Sequence, residues 1–274
     1  MRNTDNRKMT NILHSKIYGE DKSGTPLLVF HGLFGMLDNW GSFGKEFGEY
    51  FPVHLIDLRN HGKSFHSEEM SHDDLAHDIT HYMDHHGIEK ANMLGHSLGG
   101  KAVMQFAIKY PVKVEKLIVV DIAPKAYPPH HQGVFKALES VDLSEVKSRG
   151  DVEDLLKSYI PDTATVQFLA KSLYWKGDGE QKKLAWRFNL KTLSEKYDQF
   201  VSNAIKFGIY TGPTLFIAGA KSNYILPQDE FQIKQQFPSY NLVKIPAAAH
   251  WVQAENPDDF NIEAKNFLLD TKST

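Results

Sequence analysis

Short, nearly unbroken apolar runs alternate along this chain with longer segments of helical period. The runs lie at 27–31 (LLVFH), 53–57 (VHLID), 91–95 (ANMLG), 117–121 (LIVVD), 214–219 (TLFIAG) and 241–245, with an early edge candidate at 12–18. Runs of this kind are expected of strands buried on both faces, and their alternation with helices predicts a mainly parallel sheet covered on both sides. Three intervening helices are well marked. Ser71 opens one, with Asp74 three residues on and Leu75, Ile79, Tyr82 and Met83 as its apolar stripe. A second spans 98–110 and is ended by Pro111, and a last one starts near Pro257 and carries Phe260, Ile262, Phe267 and Leu268.

The alternation breaks between residues 123 and 206. That stretch is punctuated by Pro124, Pro128, Pro129 and Pro161, reads as several helices and shows no convincing strand. It is far longer than the dozen or so residues that a crossover needs. The expected organisation is a core built from 1–122 and 207–274, with 123–206 inserted as a helical lid over the carboxyl ends of the strands, where open α/β sheets bind ligands.

Composition changes this picture little. With 24% charged residues of mixed sign and a net charge of −3, the chain carries no basic patch for nucleic acid or an anionic membrane. It has no cysteine, so disulfides, a thiol nucleophile and thiolate metal sites are excluded together. Residues 1–10 are polar, and no apolar stretch approaches the roughly 20 residues of a membrane span. A cytoplasmic protein, monomer or homodimer, is the default expectation.

The chemistry concentrates in four places. Gly95-His96-Ser97-Leu98-Gly99 matches G-x-S-x-G directly after a strand and before a helix, the context of a nucleophile elbow. The glycines give the clearance that a strained turn at Ser97 needs, and the amides of the following helix point at the site. His31-Gly32-Leu33-Phe34-Gly35 follows the first strong strand, which nominates the backbone N–H groups of Leu33 and Leu98 as an oxyanion hole. His31 itself is read as structural. After the last strand, His250 stands where a general base is expected, because imidazole titrates in the range this task requires. His85-His86 and His130-His131 are read as solvated, and no spacing supports a metal site.

The acid is less direct. The loop after 214–219 reads Gly219-Ala220-Lys221-Ser222-Asn223-Tyr224, with a serine where a carboxylate is usual and Asp229 and Glu230 as the nearest later carboxylates. Asp121 ends a buried apolar strand, a costly place for an unpaired carboxylate. The triad is therefore read as Ser97, His250 and Asp121, with the Ser222 hydroxyl bridging acid and base.

Further pieces add to these: Asp38-Asn39, Asp57-Leu58-Arg59-Asn60-His61-Gly62 with Ser64, GHSLGGK at 95–101, VDIAP at 120–124, Trp186-Arg187-Phe188-Asn189 and His250-Trp251-Val252. Together they resemble the YbfF-like esterases within the α/β-hydrolases over nearly the whole chain. That resemblance implies an eight-stranded core, a helical cap, hydrolysis of short-chain carboxylic esters without metal or organic cofactor, and an acid at VDIAP paired with a serine in the later loop. Ala249 departs from it, since glycine more often precedes the histidine. Residues 57–64 are read as structural, and Phe34, His96, Trp186, Phe188 and Trp251 as substrate-contacting walls. Thioesterase, perhydrolase, carbon–carbon hydrolase and ligand-receptor functions on the same fold stay open.

Overall fold

A computed structural model describes residues 11–179 and 182–269, so the polar stretch 1–10 lies outside the described residues. The central sheet is formed by β1 (Ser15–Tyr18), β2 (Leu27–Phe30), β3 (Val53–Ile56), β4 (Ala91–His96), β5 (Val114–Val120), β8 (Thr214–Gly219) and β9 (Tyr240–Ile245). Its order is β1-β3-β2-β4-β5-β8-β9. The edge strand β1 runs antiparallel to β3, and every other pairing is parallel.

The apolar runs have the reason expected of them, since strand side chains alternate between two covered faces. In β2, Leu28 and Phe30 join the core under α2 (His72–His85) and α3 (Leu98–Lys109). Leu27 and Val29 join a second core under α1 (Gly41–Phe47) and α8 (Pro257–Leu268). Ser71 caps α2, its hydroxyl accepting from the Asp74 amide. On α8 the buried stripe is Phe260, Ala264 and Leu268, a spacing of four, and Ile262, expected inside, is 55% exposed.

Two further expectations are corrected. The sheet has seven strands among the described residues, not the eight implied by the resemblance. The stretch between β5 and β8 is also not purely helical. It carries α4 (Gln132–Ser140), α5 (Arg149–Lys157), α6 (Thr163–Ala170) and α7 (Leu190–Glu195), but also an antiparallel hairpin of β6 (Leu173–Lys176) and β7 (Lys183–Trp186). The hairpin strands are four residues each and part-exposed, so they lack the apolar run that marked the buried strands.

Both ends of this insertion are tied to each other and to the core. The Tyr127 amide donates to Ser202 O and the Ile205 amide to Pro124 O. His72 bonds Phe200 O at 2.8 Å, and the buried Lys101 of α3 donates to Val201 O at 2.6 Å and to Asn203 O. No described helix is long and apolar enough to cross a membrane.

Candidate active site

Ser97 stands between β4 and α3 with φ 52°, in the left-handed region that a non-glycine residue adopts only under strain. Its neighbours make that turn possible. A Cβ on Gly95 would lie 2.2 Å from Gly99 O, and one on Gly99 would lie 2.4 Å from Phe30 O. The Ser97 amide donates to Val120 O, which aligns the elbow with the end of the adjacent β5. Asp121 follows immediately, also at positive φ (49°) and fully buried.

The Asp121 carboxylate accepts from three donors. Oδ1 accepts from the Gly219 amide at 3.1 Å, and Oδ2 accepts from the Ser222 hydroxyl at 2.5 Å and from His250 Nδ1 at 2.7 Å. Burial pushes its pKa up, to about 6, while the bonds from Ser222 and Gly219 pull it down. Because His250 Nδ1 meets a carboxylate, it carries the proton, and Nε2 keeps a free lone pair. Burial, and secondarily His130, lowers the affinity of His250 for a second proton, which favours the neutral ring. The ring is also stacked against Tyr224, 3.8 Å between centroids and 15° from parallel, and His96 Nε2 bonds the His250 carbonyl at 2.9 Å.

Ser97, His250, Leu33 and Phe34 open on one cavity of about 150 Å³. Its other walls include His96 and Trp251 from the core and His131, Val134, Thr165, Phe168 and Leu169 from α4, α6 and the turn before α4. No Lys, Arg, Asp or Glu lines it. The amides of Leu33 and Leu98 donate to no acceptor among the described residues, whereas those of Phe34 and Gly35 are engaged with His61 and Gly32 O. Two free N–H groups beside a serine are what an oxyanion requires.

Several expectations shift. The two hydrogen bonds of the Ser222 hydroxyl go to Asp121 and the Tyr224 amide, so it supports the acid and does not bridge to the base. Trp186 and Phe188 do not line the cavity. Phe188 packs behind Phe34, 5.0 Å between rings, and Trp186 stacks on Phe188 at 5.2 Å. His131 is a cavity wall rather than a solvated residue, its Nδ1 2.6 Å from the Tyr197 hydroxyl. Asp229 and Glu230 face other partners, Asp229 with Lys125 at 2.6 Å and Glu230 with the Tyr240 hydroxyl. The sequence reading missed Tyr224, for which no spacing rule exists, and the α4 and α6 residues, whose inward face is set only when the helices dock.

A family model described as the alpha/beta hydrolase fold matches residues 25–257. The chain is 33% identical to Esterase YbfF of Escherichia coli (strain K12) over 249 residues, covering 90% of this chain and 94% of that protein. It is 34% identical to the sn-1-specific diacylglycerol lipase ABHD11 of Danio rerio over 266 residues, 94% and 82% of the two chains. Among solved structures, a marine microorganism esterase superposes with a TM-score of 0.90 at 37% identity, over 94% of this chain and 100% of the other. The chain belongs to the α/β-hydrolase family and is an enzyme of its esterase-like members.

Proposed function

We propose that this enzyme hydrolyses short, uncharged carboxylic esters through a Ser97 acyl-enzyme, with His250 as general base and Asp121 as its orienting acid. The observation that carries the reading is the convergence of an Asp121-bound His250, a strained Ser97 and the unengaged Leu33 amide on one cavity, with the unengaged Leu98 amide directly after Ser97 in the chain. Ser97 Oγ attacks the ester carbonyl while His250 Nε2 takes its proton, and the Leu33 and Leu98 amides receive the oxyanion. His250 then returns the proton to the leaving alcohol, and a water activated by the same nitrogen releases the acid and frees Ser97.

Acyl preference follows from size and charge. A volume of about 150 Å³ has room for a group the size of benzene, so an acyl chain of about six carbons fills the space present here. A wall without charged side chains offers no partner to a carboxylate on the substrate, which would enter at the full cost of desolvation. The stretch 123–206 acts in this reading as the cap, supplying through α4 and α6 the wall that sets acyl length.

The test is hydrolysis of p-nitrophenyl esters from acetate to palmitate. The expected kcat/KM peaks between butyrate and hexanoate and falls at least about 10-fold by decanoate, as forcing further methylenes into a filled cavity costs about 1–3 kcal/mol. Faster turnover of palmitate than of butyrate overturns the acyl assignment. Ser222→Ala adds a pH readout. Losing the hydroxyl that stabilises ionised Asp121 raises the proton affinity of the Asp121–His250 pair, so the acid limb of kcat/KM moves to higher pH by about one unit. An unmoved limb, or one displaced to lower pH, contradicts the role given to Ser222.

A further inference from the structure

The segment 57–64 does more than turn the chain. Arg59 of this segment is clamped by Asp78 through two bonds of 2.6 and 2.7 Å, and Asp57 accepts from the Leu37 and Lys63 amides. A rigid block therefore lies directly under the loop 31–37. Two fully buried histidines join block and loop, His31 at 1% and His61 at 0% exposure, with rings 5.1 Å apart.

Their bonds leave one protonation pattern. His61 Nε2 receives the Phe34 amide at 3.2 Å, and His31 Nε2 receives the Leu58 amide at 3.0 Å. A backbone N–H only donates, so each of these nitrogens presents a lone pair. Each Nδ1 meets a carbonyl and carries the proton: His31 Nδ1 donates to Gly32 O at 2.8 Å and His61 Nδ1 to Arg59 O at 2.9 Å. Burial holds both rings far below the usual imidazole range, His31 at about 4 and His61 at about 3.

The consequence for the loop is specific. Gly32 O belongs to the same peptide plane as the Leu33 N–H, and in a trans peptide the two point in opposite directions. Pinning Gly32 O, from His31 and from the Gly35 amide at 3.0 Å, therefore aims the Leu33 N–H. The next plane is pinned through the Phe34 amide by His61, which also holds Phe34 at φ 60°, a strained value for a bulky residue.

We propose that His31 and His61 are a positioning pair that fixes the two peptide planes around Leu33, so that its N–H meets the oxyanion of the transition state. The proposal rests on the serine-hydrolase reading above. Neither ring transfers a proton in the reaction, and both act through the backbone.

Four variants test it, assayed with p-nitrophenyl butyrate and by inhibition with butylboronic acid, which forms a tetrahedral adduct with a serine hydroxyl. His31→Phe and His61→Phe keep a ring but remove the bonds. Each is expected to lower kcat about 30-fold, below the cost of deleting an oxyanion donor, and to weaken boronate inhibition by the same factor. KM stays within about twofold, because the aimed N–H acts mainly in the transition state. His61→Gln, whose amide oxygen reaches the Nε2 position, recovers most of kcat. His61→Asn is one methylene too short and does not, which keeps the comparison decisive if the Phe variants do not fold. Variants with wild-type kcat, losses confined to KM, or no difference between Gln and Asn overturn the proposal. A wild type that neither turns over ester nor binds boronate removes the underlying reading instead.

Discussion

Asp121→Asn is expected to lower kcat about 10⁴-fold while leaving the protein folded. The structure gives the reason atom by atom. The Gly219 amide points at Oδ1, so the substituted side chain keeps its oxygen there and turns its NH₂ towards the Oδ2 position. The Ser222 hydroxyl can rotate to accept from that NH₂, but His250 Nδ1, which donates at 2.7 Å in the native site, must now accept as well. The imidazole is thereby driven into the tautomer protonated at Nε2, which has no lone pair for the Ser97 proton. The check is kcat at saturating ester beside a thermal melt. Turnover within 10-fold of wild type places the acid elsewhere. Asp229→Asn, by contrast, breaks a bridge to Lys125 away from the base and is expected to leave kcat within about twofold.

The second large effect is on stability. Gly95→Ala puts a Cβ 2.2 Å from Gly99 O and 2.6 Å from the Gly100 amide nitrogen, both backbone atoms that cannot swing aside. Relief requires the elbow to open, which moves α3 off β4. The expected cost is about 3 kcal/mol, the upper part of the overpacking range, or roughly 6–12 °C in Tm for a domain of this size. Activity should fall further than stability does, because the same displacement withdraws Ser97 from His250. Differential scanning calorimetry with a paired rate measurement separates the two, and a Tm within 2 °C of wild type contradicts the packing seen at the elbow.

The sheet was legible in the sequence because its central strands are covered on both faces and so read as apolar runs, whereas the edge strands β1 and β9 are part-exposed. β2 and β3 are buried at all four positions and β4 and β8 at all six. The hairpin β6–β7 escaped for the opposite reason: two-stranded and part-exposed, it mixes Lys176 and Lys183 with Trp175 and Leu184. Asp121 could be read because a carboxylate closing an apolar strand must be paired, and its partner could be narrowed to His250 by chain order. Trp186 and Phe188 lie one layer further from the cavity than the sequence suggests. Their sequence neighbourhood shows that they are buried, but only the docked fold shows Phe34 standing between them and the cavity. The segment 57–64 was legible as structure, yet the atoms it holds became visible only when His61 was seen to meet the Phe34 amide across 27 residues of chain.

The central claim is that Ser97 is the nucleophile, and covalent labelling tests it most directly. A fluorophosphonate should inactivate the enzyme with one equivalent bound. The label is expected in the tryptic peptide 91–101, where Ser97 is the single hydroxyl-bearing residue, and Ser97→Ala should neither label nor turn over p-nitrophenyl butyrate. Inactivation with the label in another peptide, or ester turnover that persists in Ser97→Ala, contradicts the account.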